Sequence, residues 1–322
     1  MNVHHEDNPI LVTASYDQTI KFWTTNIPTW ECSKSIELQK EHVVYRMKIS
    51  NDKKYLVCAA SKGVKLFDIS DESNYQHKGD IDYGCNCTAV GFRGEGEWFF
   101  GSGEDGTLRV HDLRLTGSQI VYNNDVAIND VILSHSEGEL IAGDESGRLI
   151  VYDLVASKVR LTTSPNPSAE IGIRSVCMSA NNTAVKEKYL CAADSSGAVY
   201  VWKVANDQDL NFFTKIQAHN DYILKCAISA NNERFVTCSA DKSIKVFSID
   251  PQEGFRQGKS LLGHTRWVWD CEFIHGSKQL ISVSTDNCLK VWDLASGNQL
   301  KHSMQHKQGV LCCALHDRPI DE

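Results

Sequence analysis

Apolar and polar positions alternate along much of the chain in short runs separated by small polar turns, the period-two pattern of strands with one buried face. One composite unit recurs. A short apolar run ends in a turn rich in Ser, Asp, Gly and Lys, and a second strand follows that closes on an aromatic residue or a histidine. It reads TASYDQTIKFW to Trp23, CAASKGVKLF to Phe67 and GSGEDGTLRVH to His111. It returns as AGDESGRLIVY to Tyr152, AADSSGAVYVW to Trp202, TCSADKSIKVF to Phe247 and SVSTDNCLKVW to Trp292. Successive closing residues lie 41 to 50 residues apart.

That spacing is the WD-repeat period, in which each unit supplies one four-stranded blade of a β-propeller. Seven units predict an all-β, seven-bladed WD-repeat β-propeller. The seventh unit shows the strands most plainly: A at 267–273, B at 279–284, C at 288–294 and D at 299–304. The longest interval, before Trp202, carries its extra length ahead of Ile173 and in the turn 181–188, where insertion is cheap. The first unit begins at a strand B (ILVTAS, 10–15) with no strand A before it, and a lone strand A (GVLCCALHD, 309–317) follows the seventh unit. The C-terminal strand is therefore expected to complete the first blade and leave the ring without open edges. The expected division is a tail at 1–8, the propeller at 9–318 and a tail at 319–322.

Bulk properties narrow the function. The 322 residues carry a net charge of −8, which argues against nucleic-acid binding, because affinity for phosphate backbones comes from Lys and Arg. No apolar run approaches the roughly 18 residues of a membrane span, and MNVHHEDNPI lacks the regions of a signal peptide. Most of the twelve cysteines, including Cys58, Cys177, Cys191, Cys226, Cys238 and Cys271, sit in apolar strand runs. They read as reduced, buried small hydrophobes of a cytoplasmic protein. Cys85, Cys87, Cys312 and Cys313 lack partners at zinc spacing, so neither a metal nor a cofactor is expected. The sequons at Asn86 and Asn181 mean little without a secretory route.

Two motifs invite an enzyme reading. His264, Ser282, Asp286 and Trp292 have the spacing of the WD-repeat structural tetrad. The set recurs across the expected ring closure as His306, Thr13, Asp17 and Trp23, and in the sixth unit as His219, Thr237 and Asp241, with Phe247 replacing Trp. A Ser/His/Asp set suggests a hydrolase, but a nucleophile is needed once and a repeated set is a brace. In the second to fifth units Ser61, Ser146 and Ser196 stand where Asp would be, and apolar packing is expected to carry more of the load. Gly101-Ser102-Gly103-Glu104-Asp105-Gly106 matches a dinucleotide fingerprint, but a strand follows where a helix is required.

Binding is expected on the face made by the D–A and B–C loops. Three and five residues beyond the loop histidine or its equivalent, strand A should present side chains near the channel on that face. These are Tyr222 and Leu224 in the sixth unit, Trp267 and Trp269 in the seventh, and Val43 and Tyr45 in the second. Tyr16 joins them from the B–C turn of the first. The corresponding pairs elsewhere are small or polar: Asn86/Thr88, Ala127/Asn129 and Gly172/Arg174. The aromatic crescent either plugs the channel or forms a partner-binding patch, since Trp and Tyr dominate interface hot spots.

Several segments resemble the small WD-repeat subunit of TOR (target of rapamycin) kinase complexes, the G-protein-beta-like or lethal-with-sec-thirteen type. They are PILVTASYDQTIKFW, GEDGTLRVHDLR, AINDVILSHSEGELIAGDESG, AHNDYILKCAIS, TCSADKSIKVF and RWVWDCEF. The resemblance spans nearly the whole chain and is sharpest in the Tyr-x-Leu-x-Cys and Trp-x-Trp-x-Cys stretches. It implies a non-catalytic scaffold docked on the TOR kinase catalytic domain beside other complex subunits, acting in nutrient-responsive growth signalling. It also implies a cytoplasmic location, with recruitment to endolysosomal or vacuolar membranes through the complex rather than by insertion. His111 and Tyr152 depart from the expected strand-C Trp. The competing reading is a WD adaptor of a ubiquitin ligase or a trafficking scaffold.

Overall fold

The computed structural model describes residues 9–24, 30–39, 42–71, 74–94, 96–115, 117–166, 171–180, 187–205, 209–250, 252–274 and 276–317. Seven four-stranded antiparallel sheets form the blades of a closed ring. Most of the turn 181–188 and both expected tails lie outside the described residues.

The strands fall where the repeat places them. In blade 7, strand A is Val268–Phe273, B Gln279–Ser284, C Leu289–Asp293 and D Gln299–Ser303, each starting or ending within a residue or so of its expected bounds. Strands B and C are buried on both faces, against the blades before and after, so their polar positions Ser282 and Lys290 are buried too. Strand D is exposed at the rim and correspondingly polar.

Ring closure is as expected. Blade 1 has the order A, B, C, D from Val310–His316, Ile10–Ser15, Thr19–Thr24 and Glu31–Glu37. The C-terminal strand runs antiparallel to Ile10–Ser15, with Val12 opposite Ala314 and Thr13 opposite Cys313. All twelve cysteines are free thiols and most are buried. Burial raises the thiols of Cys177, Cys226 and Cys313 well above the usual thiol range, so they behave as apolar filling.

Each strand A also carries one β-bulge, always at the same position. In blades 2 to 7 the register against strand B skips Tyr45, Thr88, Asn129, Arg174, Leu224 and Trp269. In blade 1 it skips Leu311. A bulged residue is unpaired, and the local kink re-aims its side chain. Seven strands A surround the channel, so seven re-aimed side chains meet at its mouth.

Candidate binding face

The mouth is a cavity of ≈ 380 Å³ whose lining includes all seven bulge residues. It has two unlike halves. Over blades 3 to 5 the bulge residues are polar and already engaged. Thr88 Oγ1 donates to the carbonyl of Ile128 in the next blade. Asn129 Nδ2 donates to the carbonyl of Ile173 and to Glu145. Arg174 is held by Ser195 Oγ and Glu145.

Over blades 6, 7, 1 and 2 the lining is apolar and aromatic apart from Arg46: Leu224, Trp269, Leu311 and Tyr45, joined by Tyr16, Tyr222 and Trp267. The six residues singled out for binding thus line one cavity. Their exposure differs. Trp267 (43%), Tyr222 (44%) and Tyr16 (39%) stand out into solvent, whereas Leu224 retains only 8% and forms the floor. Trp269 and Tyr45 are half-buried. Val43 does not line the cavity.

The aromatic half is preorganised. The Trp267 and Trp269 rings lie 5.7 Å apart, tilted by 53°, within the range of a favourable aromatic pair. Trp269 Nε1 donates to Thr285 Oγ1 at 2.7 Å, tying the half-buried indole to the B–C turn of its own blade. The backbone N–H of Tyr16 donates to the carbonyl of Gly309, so the ring closure itself positions this side chain.

Residues 3–24, 210–248 and 255–293 match the WD domain, G-beta repeat family. Target of rapamycin complex subunit LST8-1 of Arabidopsis thaliana is 36% identical over 96% of this chain and 98% of its own length. Target of rapamycin complex subunit LST8 of Saccharomyces cerevisiae is 33% identical, over 96% and 99% respectively. Target of rapamycin complex subunit wat1 of Schizosaccharomyces pombe is 32% identical, over 97% and 96%. The chain belongs to the LST8 family.

In this LST8-family propeller the repeated Ser/His/Asp sets are buried chains linking a D–A loop to strands B and C. Trp292 Nε1 donates to Ser282 Oγ at 2.8 Å, and Ser282 Oγ lies 2.8 Å from His264 Nε2. Because the Asp286 carboxylate can only accept, His264 Nδ1–H donates to its Oδ2 at 2.8 Å, which leaves Nε2 as the acceptor of the Ser282 hydroxyl proton. Burial works to raise Asp286, but His264 and the N–H groups of Thr265 and Cys288 outweigh it and hold the carboxyl far below its usual range.

The same chain closes the ring. Thr13 accepts from Trp23 and meets His306 Nε2, each at 2.8 Å, and His306 Nδ1 lies 3.1 Å from Asp17 Oδ2. In blade 6, His219 lies between Asp241 at 2.7 Å and Thr237 at 2.8 Å, and Phe247 packs where the indole would donate. Burial lowers both His219 and His306 despite their carboxylate partners.

Blades 3 to 5 correct the expectation of mainly apolar packing. In blades 4 and 5 a buried Asp stands two residues before Ser146 and Ser196. Asp144 Oδ1 accepts from Ser146 and the Arg148 N–H, while Oδ2 accepts from Arg148 Nε and Asn124. Asp194 caps the equivalent turn through Ser196 and Ala198. In blade 3, Tyr83 Oη lies 2.9 Å from His111 Nε2, and burial pushes His111 down to about 4.

The channel below the mouth is lined by charges that pattern reading passed over: Arg46, Lys48, Lys225, Asp130, Asp270 and Glu272. Lys48 reaches Glu272 at 2.7 Å, from blade 2 to blade 7 across blade 1. Asp130 and Asp270 each accept a strand-A N–H of the following blade, from Val176 and Cys313. Each of these residues follows or lies near a bulge. A bulge is a property of register, so alternation in the sequence carries no mark of which side chains reach the channel.

Proposed function

We propose that this chain is a non-catalytic scaffold subunit that binds and stabilises the catalytic domain of a TOR-type kinase through the aromatic half of the channel mouth. The observation that carries this reading is the exposure of Trp267, Tyr222 and Tyr16 around one cavity, backed by Trp269 and Leu224. A blade does not need aromatic side chains there, since blade 1 manages with Gly309 and Leu311 and blades 3 to 5 use Thr88, Asn129 and Arg174. Exposed indole and phenol rings over a rigid floor are what a partner's apolar side chains bury with least ordering cost. The names of the relatives, all subunits of target of rapamycin complexes, support the choice of partner. Three buried braces built from the same residue types support a structural role for the Ser/His/Asp sets.

The test pairs capture of the kinase catalytic domain with a melting curve for Trp267→Ala/Trp269→Ala. Truncating central aromatics of an interface typically costs about 2 kcal/mol or more, roughly thirtyfold in affinity. A well-folded double variant should lose capture by at least that factor. Undiminished capture sinks the site. Selective enrichment of ubiquitin-ligase or vesicle-coat proteins by the wild type, without the kinase, would favour the adaptor reading instead.

A further inference from the structure

Every blade must satisfy the backbone its bulge disturbs, and the two halves of the mouth do so differently. In blades 4 and 5 the carbonyl just before the bulge residue is taken by the bulge side chain of the preceding blade: Thr88 reaches the carbonyl of Ile128, and Asn129 reaches the carbonyl of Ile173. In blades 6 and 7 the bulge residues are Leu224, which has no donor, and Trp269, whose only donor is spent on Thr285. Neither can hold the neighbouring blade. Their own carbonyls point into the channel, and one side chain from the other side of the ring takes both. Arg46 of blade 2 donates to the carbonyl of Leu224 at 2.9 Å and to the carbonyl of Trp269 at 3.4 Å. Its guanidinium also faces Asp270 at 3.9 Å, the residue next to Trp269, and its side chain is only 15% exposed.

We infer that Arg46 is the positioning residue of the aromatic half of the mouth, spanning the channel to fix the bulges that carry Leu224 and Trp269. This rests on the binding role proposed above for those side chains. The division of labour follows from chemistry. A bulge residue offered to a partner spends no donor on the neighbouring blade, so it cannot also tie its blade to the next. That task passes to a long cation whose planar fork presents several donors in fixed directions and can serve two carbonyls at once. A lysine ammonium at this position keeps the charge toward Asp270 but reaches one carbonyl at most.

The test uses full-length protein labelled with 5-fluorotryptophan, its Trp267 and Trp269 fluorine signals assigned through Trp267→Phe and Trp269→Phe. Arg46→Met should move or broaden those two signals while those of Trp23, Trp202 and Trp292 stay in place. Capture of the kinase catalytic domain should weaken by about tenfold, mainly through faster release. Arg46→Lys should shift the same two signals; it is also the variant to read should Arg46→Met fail to fold. Unmoved Trp267 and Trp269 signals in a folded variant overturn the inference, as do equal shifts at all the tryptophans or unchanged capture despite shifted signals. If Trp267→Ala/Trp269→Ala binds the kinase normally, the binding role itself fails, and the fluorine spectra still decide whether Arg46 sets the two bulges.

Discussion

Asp286→Ala removes the base of the blade 7 brace, and its cost can be worked from the contacts it breaks. Asp286 accepts from His264 Nδ1 at 2.8 Å, from the Thr265 N–H at 2.9 Å and from the Cys288 N–H at 3.1 Å. Its side chain is 7% exposed and that of His264 only 1%. Hydrogen bonds to a charged acceptor contribute about 1.5–3 kcal/mol each, but donors that water can reach recover much of that. Thr265 is exposed, so its N–H rehydrates, whereas His264 Nδ1–H is left buried and unpaired. The net loss is about 3 kcal/mol. Unfolding entropy of about 2 cal/mol/K per residue over a propeller of this size gives about 0.7 kcal/mol per degree, so Tm should fall by about 4–5 °C. Asp286→Asn keeps one neutral acceptor oxygen, enough for His264 and Thr265, and should lose about half as much. Asp105→Ala in blade 3 is the control. That carboxylate is exposed and its partners are the turn residue Thr107 and Arg109, so Tm should drop by about 1 °C. Scanning calorimetry of the three variants decides the matter. An Asp286→Ala protein that melts within a degree of wild type, or no lower than Asp105→Ala, refutes the brace.

Two further outcomes follow from burial. His111, His219 and His306 are held below the ordinary histidine range by burial, with His111 at about 4. The unfolded chain therefore binds more protons on acidification. The stability His111 contributes is complete above about pH 6.5 and is lost as pH falls toward 4, by up to about 1.4 kcal/mol per pH unit, and His219 and His306 act in the same direction. Melting curves between pH 7.5 and 4.5 should show Tm falling from about pH 6.5 downward, and a flat profile over that range would contradict the assignment. Gly143→Ala would place a methyl 2.4 Å from Ile173 Cγ2, between blades 4 and 5, whereas at Gly138 the nearest atom is Ser136 Oγ at 3.6 Å. The first substitution should cost about 1–3 kcal/mol and the second almost nothing; equal melting temperatures would show that the blade interface gives way freely.

What the sequence disclosed and what it withheld divide along physical lines. The repeat period, the missing first strand A and the trailing 309–317 strand specified the ring and its closure, because each is a count along one dimension. The tetrads were legible for the same reason: His264, Ser282, Asp286 and Trp292 keep fixed separations. Counting five residues from the loop histidine found Trp269 and Leu224, and alignment of Met47 and Ile49 added Tyr45, but neither could show that the position is a bulge, since a skipped pairing exists only between two strands. Nor could it show that Leu224 would be floor and Tyr222 rim. The buried Asp144 and Asp194 lay in plain view in GDESG and ADSSG, but attention to the position six before the aromatic passed over the carboxylate two residues earlier. Arg46 was out of reach altogether. Its partners Leu224 and Trp269 lie 178 and 223 residues away, and no local pattern relates them.

The pairing of Ile10–Ser15 with Val310–His316 also imposes an order in time. Thr13 and its brace partner His306 are separated by 293 positions. During synthesis the other six blades can assemble as they leave the ribosome, while the first remains a three-stranded sheet with its inner edge bare. Bringing ends this far apart in a free chain would cost about 5 kcal/mol of loop-closure entropy; blades already stacked into an arc hold them near one another and remove most of that cost. Docking of Val310–His316, which is made after the other strands of the ring, therefore converts an open arc into a ring. Until it arrives, the exposed edge is free to pair with the same edge of another chain. The interval between synthesis of blade 7 and docking of the final strand is thus the period in which this protein is most exposed to misassembly.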